Sequence, residues 1–317
     1  MKFPVFDLHC DTALALLGKD LHGDANLMHN ELQIDLTRAE KLDGYCQTFA
    51  CFTTPDMEKW YGVSPVLVFE KELEAIRREL AVCDQYIRQA YSVKDIETII
   101  ASGRAAAILS IEGPAGFDYD PELLEDMQKI GFRITTLGWN EKNVLTGSNI
   151  TGGGLTDQGK AYVREAQRVG MVVDTSHISD ESFFDIMDIT EKPIIASHSN
   201  SRSVCGHTRN LTDEMFAEIC KTDGVCGINL FAEFLGEAPN LDTVCDHIFR
   251  FMELDPSGKH IALGGDLDGC DTLPEGFAGV QDYPALIQRL LQRGLDEYTV
   301  ADICWNNAMG VLRKCCM

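Results

Sequence analysis

Five short stretches of this chain carry the residue types that hold metal ions. "DLHCDT" (7–12) sets His9 two residues before Asp11, and "ILSIEG" (108–113) leads to Glu112. "VVDTSH" (172–177) ends on His177, "IIASHS" (194–199) contains His198, and "IALGGDLDG" (261–269) contains Asp266. Each ionisable residue follows an apolar run that reads as a buried strand. A lone buried charge is costly, and a single His-x-Asp pair is as well explained by a core salt bridge as by a chelate. Five such strand ends are better explained as one site. Three imidazoles and several carboxylates, with no thiolate among them, suit zinc or another first-row metal. That many donors exceed what one tetrahedral ion with an open position needs, so two divalent ions are expected. A pair of ions requires a bridging ligand. Glu112, a single glutamate on a central strand, is the candidate, with one oxygen for each ion.

The elements that must position these residues alternate along the chain. Strand-like runs fall at 5–11, 44–52, 105–112, 133–140, 171–177, 193–198, 225–231 and 261–266. Amphipathic stretches lie between them. "SVKDIETIIASG" begins with Ser92 as a cap and ends at Gly103; "LTDQGKAYVREAQRVG" has Thr156 as cap and Gly170 as stop; "DYPALIQRLLQRG" ends on Gly294. Repeated β–α alternation with buried strands predicts a parallel sheet. Eight units in 317 residues predict an α/β fold of the closed (β/α)8 TIM-barrel type, one domain over 1–317. A doubly wound open sheet is the alternative, but "HCDTALALLG" lacks a glycine-rich phosphate loop. Barrel active sites form at the C-terminal ends of strands, where all five stretches end. Alternation along the first strand predicts Val5, Asp7, His9 and Asp11 facing inward, and Phe6, Leu8 and Cys10 packing against helices. Asp7, a layer below, is expected to make a supporting hydrogen bond.

Composition narrows the partners. The net charge is −23, which repels phosphate backbones and anionic lipid, so neither nucleic acid nor membrane is expected. No apolar run approaches a membrane span, and the termini show neither a signal peptide nor an anchor signal. A soluble, cytoplasmic protein is expected. Twelve cysteines without a Cys-x-x-Cys spacing point to reduced, buried thiols, with Cys315 and Cys316 the exposed exception. His22 and His29 read as loop residues, His207 as a solvated one, His247 as helix surface, and His260 as lying at the far end of the barrel.

These stretches, with "PIIASHSNSRSVCGHTRNLTDE" (193–214) and "NNAMGVLRK" (306–314), resemble the membrane (renal) dipeptidase family of binuclear zinc metallopeptidases, in its soluble bacterial form. The resemblance spans the chain. It implies that His9 and Asp11 bind one metal, His177 and His198 the other, and that Glu112 bridges them. Arg209 would pair with the free carboxylate of a dipeptide, and Asp266 would pass a proton beside a bridging hydroxide. Asp268, beyond the strand end, is the weaker choice, and Asn210 reads as a turn residue. The implied activity is hydrolysis of free dipeptides, C-terminal D-residues included, and a homodimer is implied because members are commonly dimeric. One departure stands out: in "TTLGWN" (135–140), Trp139 occupies the place of a substrate-contacting histidine of the mammalian enzymes. An indole donates one hydrogen bond and cannot shuttle a proton. The rival readings are another binuclear barrel amidohydrolase, acting on an N-acyl amino acid, lactone or phosphoester, and a non-catalytic metal- or peptide-binding protein. Arg209 separates the first from a dipeptidase.

Overall fold

The computed structural model describes residues 2–23 and 25–316. Among these, nine strands form one parallel sheet: β1 (Val5–Cys10), β2 (Tyr45–Phe52), β3 (Ile87–Gln89), β4 (Ala105–Glu112), β5 (Phe132–Thr136), β6 (Val172–Asp174), β7 (Ile194–Ser199), β8 (Val225–Ile228) and β9 (Ile261–Leu263). Seven consecutive pairs from Cys46–Ala106 to Phe52–Glu112 join β2 to β4 and close the ring. Closure excludes the open doubly wound sheet and leaves an eight-stranded TIM barrel. The ninth strand, β3, pairs only with Ala105–Ala107, along the lower part of β4. It is three residues long and partly exposed, so it has no apolar signature to read.

The helices begin where polar caps dictate. Ser92, Thr156, Ser179 and Thr212 each accept a backbone N–H of the first turn of the helix that follows. Gly170, at φ 83°, ends the helix Asp157–Val169 in the left-handed conformation that glycine adopts freely. These helices bury apolar faces on the outside of the sheet in a large cluster that includes Val5, Cys10, Phe49, Tyr162 and Phe216. A second cluster draws on all eight barrel strands, with Phe6, Leu8, Ile108, Ile134, Val172 and Ile195 among them, and on the helix Asn307–Cys315. It fills the barrel interior from below.

This corrects the expected facing of β1. Phe6 and Leu8 point inward and Val5 packs outward, while Cys10 packs outward as expected. Asp7 also points outward: the Tyr283 hydroxyl donates to its Oδ2, and the backbone N–H groups of His9 and Gly265 donate to its Oδ1 at 3.1 and 2.9 Å. Its hydrogen bonds tie β1 to the segment after β9. His9 and Asp11 nevertheless reach the mouth, because β1 pairs Asp7 with Gln47 but Cys10 with Phe49. One extra residue sits between those pairs, a β-bulge that returns His9 to the inner face. The same device recurs in β7, where Ala196 pairs with Cys226 but Ser199 pairs with Ile228. His198 lies in that bulge.

Two glycines make room for the β7 bulge. A Cβ at Gly227 would lie 2.0 Å, and at Gly264 1.7 Å, from the Ser197 carbonyl oxygen. No side chain fits at either position. Gly227→Ala is expected to cost about 1–3 kcal/mol, the range for forced overpacking, and to lower metal content as His198 is displaced. Urea unfolding with metal analysis checks both, and an unchanged midpoint would show that the bulge tolerates a methyl group.

Candidate metal centre

The residues singled out in the sequence meet at the C-terminal mouth of the barrel. Glu112, the last residue of β4, lies at the centre. Its Oε2 is 3.1 Å from His9 Nε2, and its Oε1 is 2.9 Å from His177 Nε2 and 3.7 Å from His198 Nε2. One carboxylate therefore turns an oxygen to each of two imidazole groups. On the His9 side, Asp11 Oδ2 and Asp266 Oδ1 lie 3.5 and 3.8 Å from His9 Nε2. The rings of His9 and His198 stack with centroids 3.8 Å apart.

The tautomers follow from the other ring nitrogens. His177 Nδ1 lies 2.9 Å from Asn140 Oδ1, which can only accept, so Nδ1 carries the proton. His198 Nδ1 lies 2.7 Å from Ser197 Oγ, whose own proton goes to Asp174 Oδ2. Asp174 Oδ1 also accepts from the N–H groups of Ser176 and Ser197. Both Nε2 atoms are then bare lone pairs, yet they lie 2.9 Å apart and face a carboxylate oxygen. Three acceptors converging in a buried site repel one another unless a cation lies among them. On the other side, His9 Nε2 and Asp11 Oδ1 are buried and have no hydrogen-bond partner. These unpartnered buried atoms fit divalent ions, and the partners at Nδ1 are those that orient metal-binding imidazoles.

Electrostatics point the same way. Burial, reinforced by the charges of Arg209 and His9, holds His177 and His198 well below the usual histidine range, in the neutral ligand form. Burial also works to lower His9, but the Glu112 and Asp11 carboxylates outweigh it and hold that imidazole well above its usual range. Burial pushes Glu112 up to about 8 and Asp266 up to about 6, against the pull of His9.

Two expected site residues stand beside this cluster rather than in it. The Arg209 guanidinium is buried beside it, with Nη2 donating to the His198 carbonyl and Nη1 to Ser199 Oγ at 3.2 and 3.3 Å, and with Nε unpartnered. Its chain turn is held by Asn210, whose Nδ2 donates to the carbonyls of Cys205 and Phe234. Trp139 forms part of the wall, 5.2 Å from Phe52, 5.7 Å from Trp60 and 6.0 Å from His177 between ring centroids. Asp268 is occupied elsewhere, accepting from Thr12 Oγ1 and the Gln33 N–H.

Sequence reading missed the residues behind the centre: Asn140, Ser197, Asp174 and also Asn229, which donates to Asp266 Oδ2 at 2.9 Å. Their only signal is a polar residue at a buried strand end. It also misplaced His177 and Asp266 on strands. Both lie three residues past the end of β6 and β9, with φ of 72° and 57°, a conformation that non-glycine residues seldom take. Three further expectations are corrected. His247 is fully buried; its Nδ1 accepts the Ser201 N–H, and its Nε2 meets the Leu235 carbonyl. His207 is half-buried against Phe234, and its Nδ1 accepts the Arg209 N–H. Cys315 is buried rather than exposed, and among the described residues every cysteine is free.

A closed parallel barrel with an imidazole–carboxylate cluster at its C-terminal mouth defines a TIM barrel with a candidate metal centre. The chain belongs to the membrane dipeptidase family (peptidase family M19), whose pattern matches residues 1–316. An uncharacterized dipeptidase of Schizosaccharomyces pombe is 33% identical over 76% of this chain and 63% of its own length. A dipeptidase of Claviceps purpurea is 27% identical over 77% of the chain and 59% of its own length. The chain thus spans about three fifths of these relatives. A metallopeptidase of Rhodobacter sphaeroides, solved with a phosphinate mimic of the dipeptide L-Ala-D-Ala, superposes with a TM-score of 0.87 at 25% identity, covering 99% of this chain and 100% of that one. Among the described residues, no helix is long and apolar enough to cross a membrane.

The shifts fix a pH dependence for the metal-free protein. Glu112 and His9 are raised above their unfolded values, so the fold binds more protons than the unfolded chain and loses stability as pH rises. His177 and His198 are depressed and contribute no further change above an unfolded value of about 6.5. Chelated protein is therefore expected to melt at a progressively lower temperature from pH 6.5 to 8, and metal-loaded protein to lose much less. Parallel melting curves test this; equal slopes would contradict the arrangement.

Proposed function

We propose that the protein is a metal-dependent dipeptidase. It hydrolyses the peptide bond of free dipeptides, including those with a C-terminal D-residue. His9 and Asp11 would hold one divalent ion, His177 and His198 a second, and Glu112 would lie between them; zinc suits this donor set. Divalent ions held there would supply a Lewis acid for the carbonyl oxygen and lower the pKa of a bound water. The phosphinate mimic of L-Ala-D-Ala held by the Rhodobacter sphaeroides relative supports the substrate class and the D-residue.

The chain's own residues would do the rest. Arg209 binds the C-terminal carboxylate, a task suited to a planar, two-pronged cation. Asp266 takes the proton of the attacking water and returns it to the leaving amine. Asn229 binds its Oδ2, and its Oδ1 faces His9. Without its proton it is a base, so activity falls as pH drops through the Asp266 pKa. That value is about 6 with no metal bound, and a neighbouring dication moves it lower. The observation that carries this reading is the buried guanidinium of Arg209 beside an acceptor cluster. It provides for a free carboxylate next to the hydrolytic centre, which a lactone or phosphoester hydrolase would not need.

A dipeptide panel with C-terminal L- and D-residues, run beside metal analysis, tests this. Up to two ions per chain and turnover abolished by chelation or by Glu112→Gln are expected. Arg209→Ala should raise KM for free dipeptides by roughly 10²-fold, as for a lost charge-assisted pair. Equal cleavage of free and C-terminally amidated dipeptides would overturn the assignment, as would full activity in metal-free Glu112→Gln protein.

A further inference from the structure

Next to the centre lies a cleft of about 560 Å³ whose floor includes Asp11 and Glu112. Phe52, Trp60, Tyr61, Trp139, Leu14 and Leu32 form an apolar wall, and Lys19, Asp268 and Asp271 also line the cleft. Arg209 is not part of it. The guanidinium lies beside His198, Ser199 and Phe234, whereas the cleft opens on the Asp11 side of Glu112. A dipeptide anchored at Arg209, with its scissile carbonyl over Glu112, runs out of chain length there. Its remaining part, the N-terminal residue, can extend only away from Arg209.

The walls show what that residue should be. Trp139 is fixed by edge contacts to Phe52 and Trp60, at interplanar angles of 63° and 90°. Trp60 stands on the short helix Met57–Tyr61 and is 43% exposed. A large apolar residue left so exposed at the rim of a cleft, edge-on to a second indole, presents a face with no partner of its own. An aromatic guest can pack against such rings face-on or edge-on.

We propose that this cleft binds the side chain of the substrate's N-terminal residue, and that Trp60 and Trp139 make the enzyme selective for dipeptides with a large apolar or aromatic residue there. The proposal rests on the dipeptidase reading and adds its substrate class. It also gives a use to the indole at position 139: what the site gives up in proton transfer it gains in apolar surface.

The test is a series X-L-Ala with X as Gly, Ala, Leu, Phe and Trp, assayed on metal-loaded wild-type, Trp60→Ala, Trp60→Phe and Trp139→His proteins. For wild type, kcat/KM is expected to rise at least about tenfold from Gly to Phe, as pocket burial of an apolar side chain allows. The Phe-to-Gly ratio should collapse towards one in Trp60→Ala and in Trp139→His, and Trp60→Phe should restore much of it. Since Trp60 is partly exposed, Trp60→Ala is expected to fold, which its melting curve verifies. Turnover with a flat series, or a ratio unchanged in both Trp60→Ala and Trp139→His, overturns the pocket and leaves the dipeptidase reading standing. Failure of the loaded wild-type enzyme to cleave any member overturns both.

Discussion

Three hydrogen-bond acceptors, the Nε2 atoms of His177 and His198 and an oxygen of Glu112, meet within a few ångströms at the barrel mouth. Almost everything unusual in the surrounding chain serves that contact. Acceptors in a low-dielectric site repel one another, and hydrogen bonds to their own far sides make the repulsion unavoidable. Asn140 and the Ser197–Asp174 pair hold the ring protons on Nδ1, so neither imidazole can rotate its proton into the gap. A cation satisfies all three at once, whereas a proton held on Glu112, which burial pushes up to about 8, satisfies only part of the demand. The second Glu112 oxygen repeats the demand on the side of His9 and Asp11. Metal binding at this mouth is thus favoured by hydrogen-bond accounting as much as by ligand type.

Bringing the donors together costs regular structure. Ideal strands alternate their faces, and on β1 and β7 alternation would turn His9 and His198 away from where Glu112 needs them. One extra residue in each strand corrects the phase. Past β6 and β9 the same end is reached by left-handed backbone at His177 and Asp266. The supports lie one layer out: Asp7 locks the backbone of His9 to Gly265, and Gly227 and Gly264 leave space for the turned-in peptide of Ser197. Strain at the mouth is carried by a well-packed body beneath it, an inner cluster that touches every barrel strand.

This explains what could be read from the sequence. The helix caps at Ser92 and Thr156 were legible because a cap is a local interaction, closed within a few residues. The order of the barrel strands was legible because apolar runs of the right length recur. The direction in which β1 faces was not. Both faces of a barrel strand are buried, so Val5, Phe6 and Leu8 show no apolar–polar contrast from which to fix the phase, and a bulge leaves no compositional trace. Asn140, Asp174 and Asn229 were missed for another reason. Their partners lie 37, 23 and 37 residues away, and a single polar residue at a strand end looks the same whether it orients a ligand or caps a turn. His247 reverses the error: a histidine on an amphipathic helix reads as surface, yet here it satisfies a buried loop N–H.

The mouth is chemically lopsided, and that has a consequence for how protons could move in it. On one side stand Arg209 and the polar strand ends of β7; on the other, Phe52, Trp60 and Trp139. A histidine at position 139 would add a second group able to accept and release a proton across the centre from Asp266. An indole offers only a donor. His177 and His198 have their Nδ1 protons committed and their Nε2 atoms turned to the cation site, so neither is free to shuttle. Of the groups at the mouth with a carboxylate oxygen outside the bridging position, Asp11 lies among the His9-side acceptors, with Oδ1 orphaned. Asp266 has one oxygen held by Asn229 and the other turned to the centre. In the proposed hydrolytic cycle, proton transfer would therefore converge on Asp266, and the surface opposite would be left to recognise the substrate by shape and apolar contact.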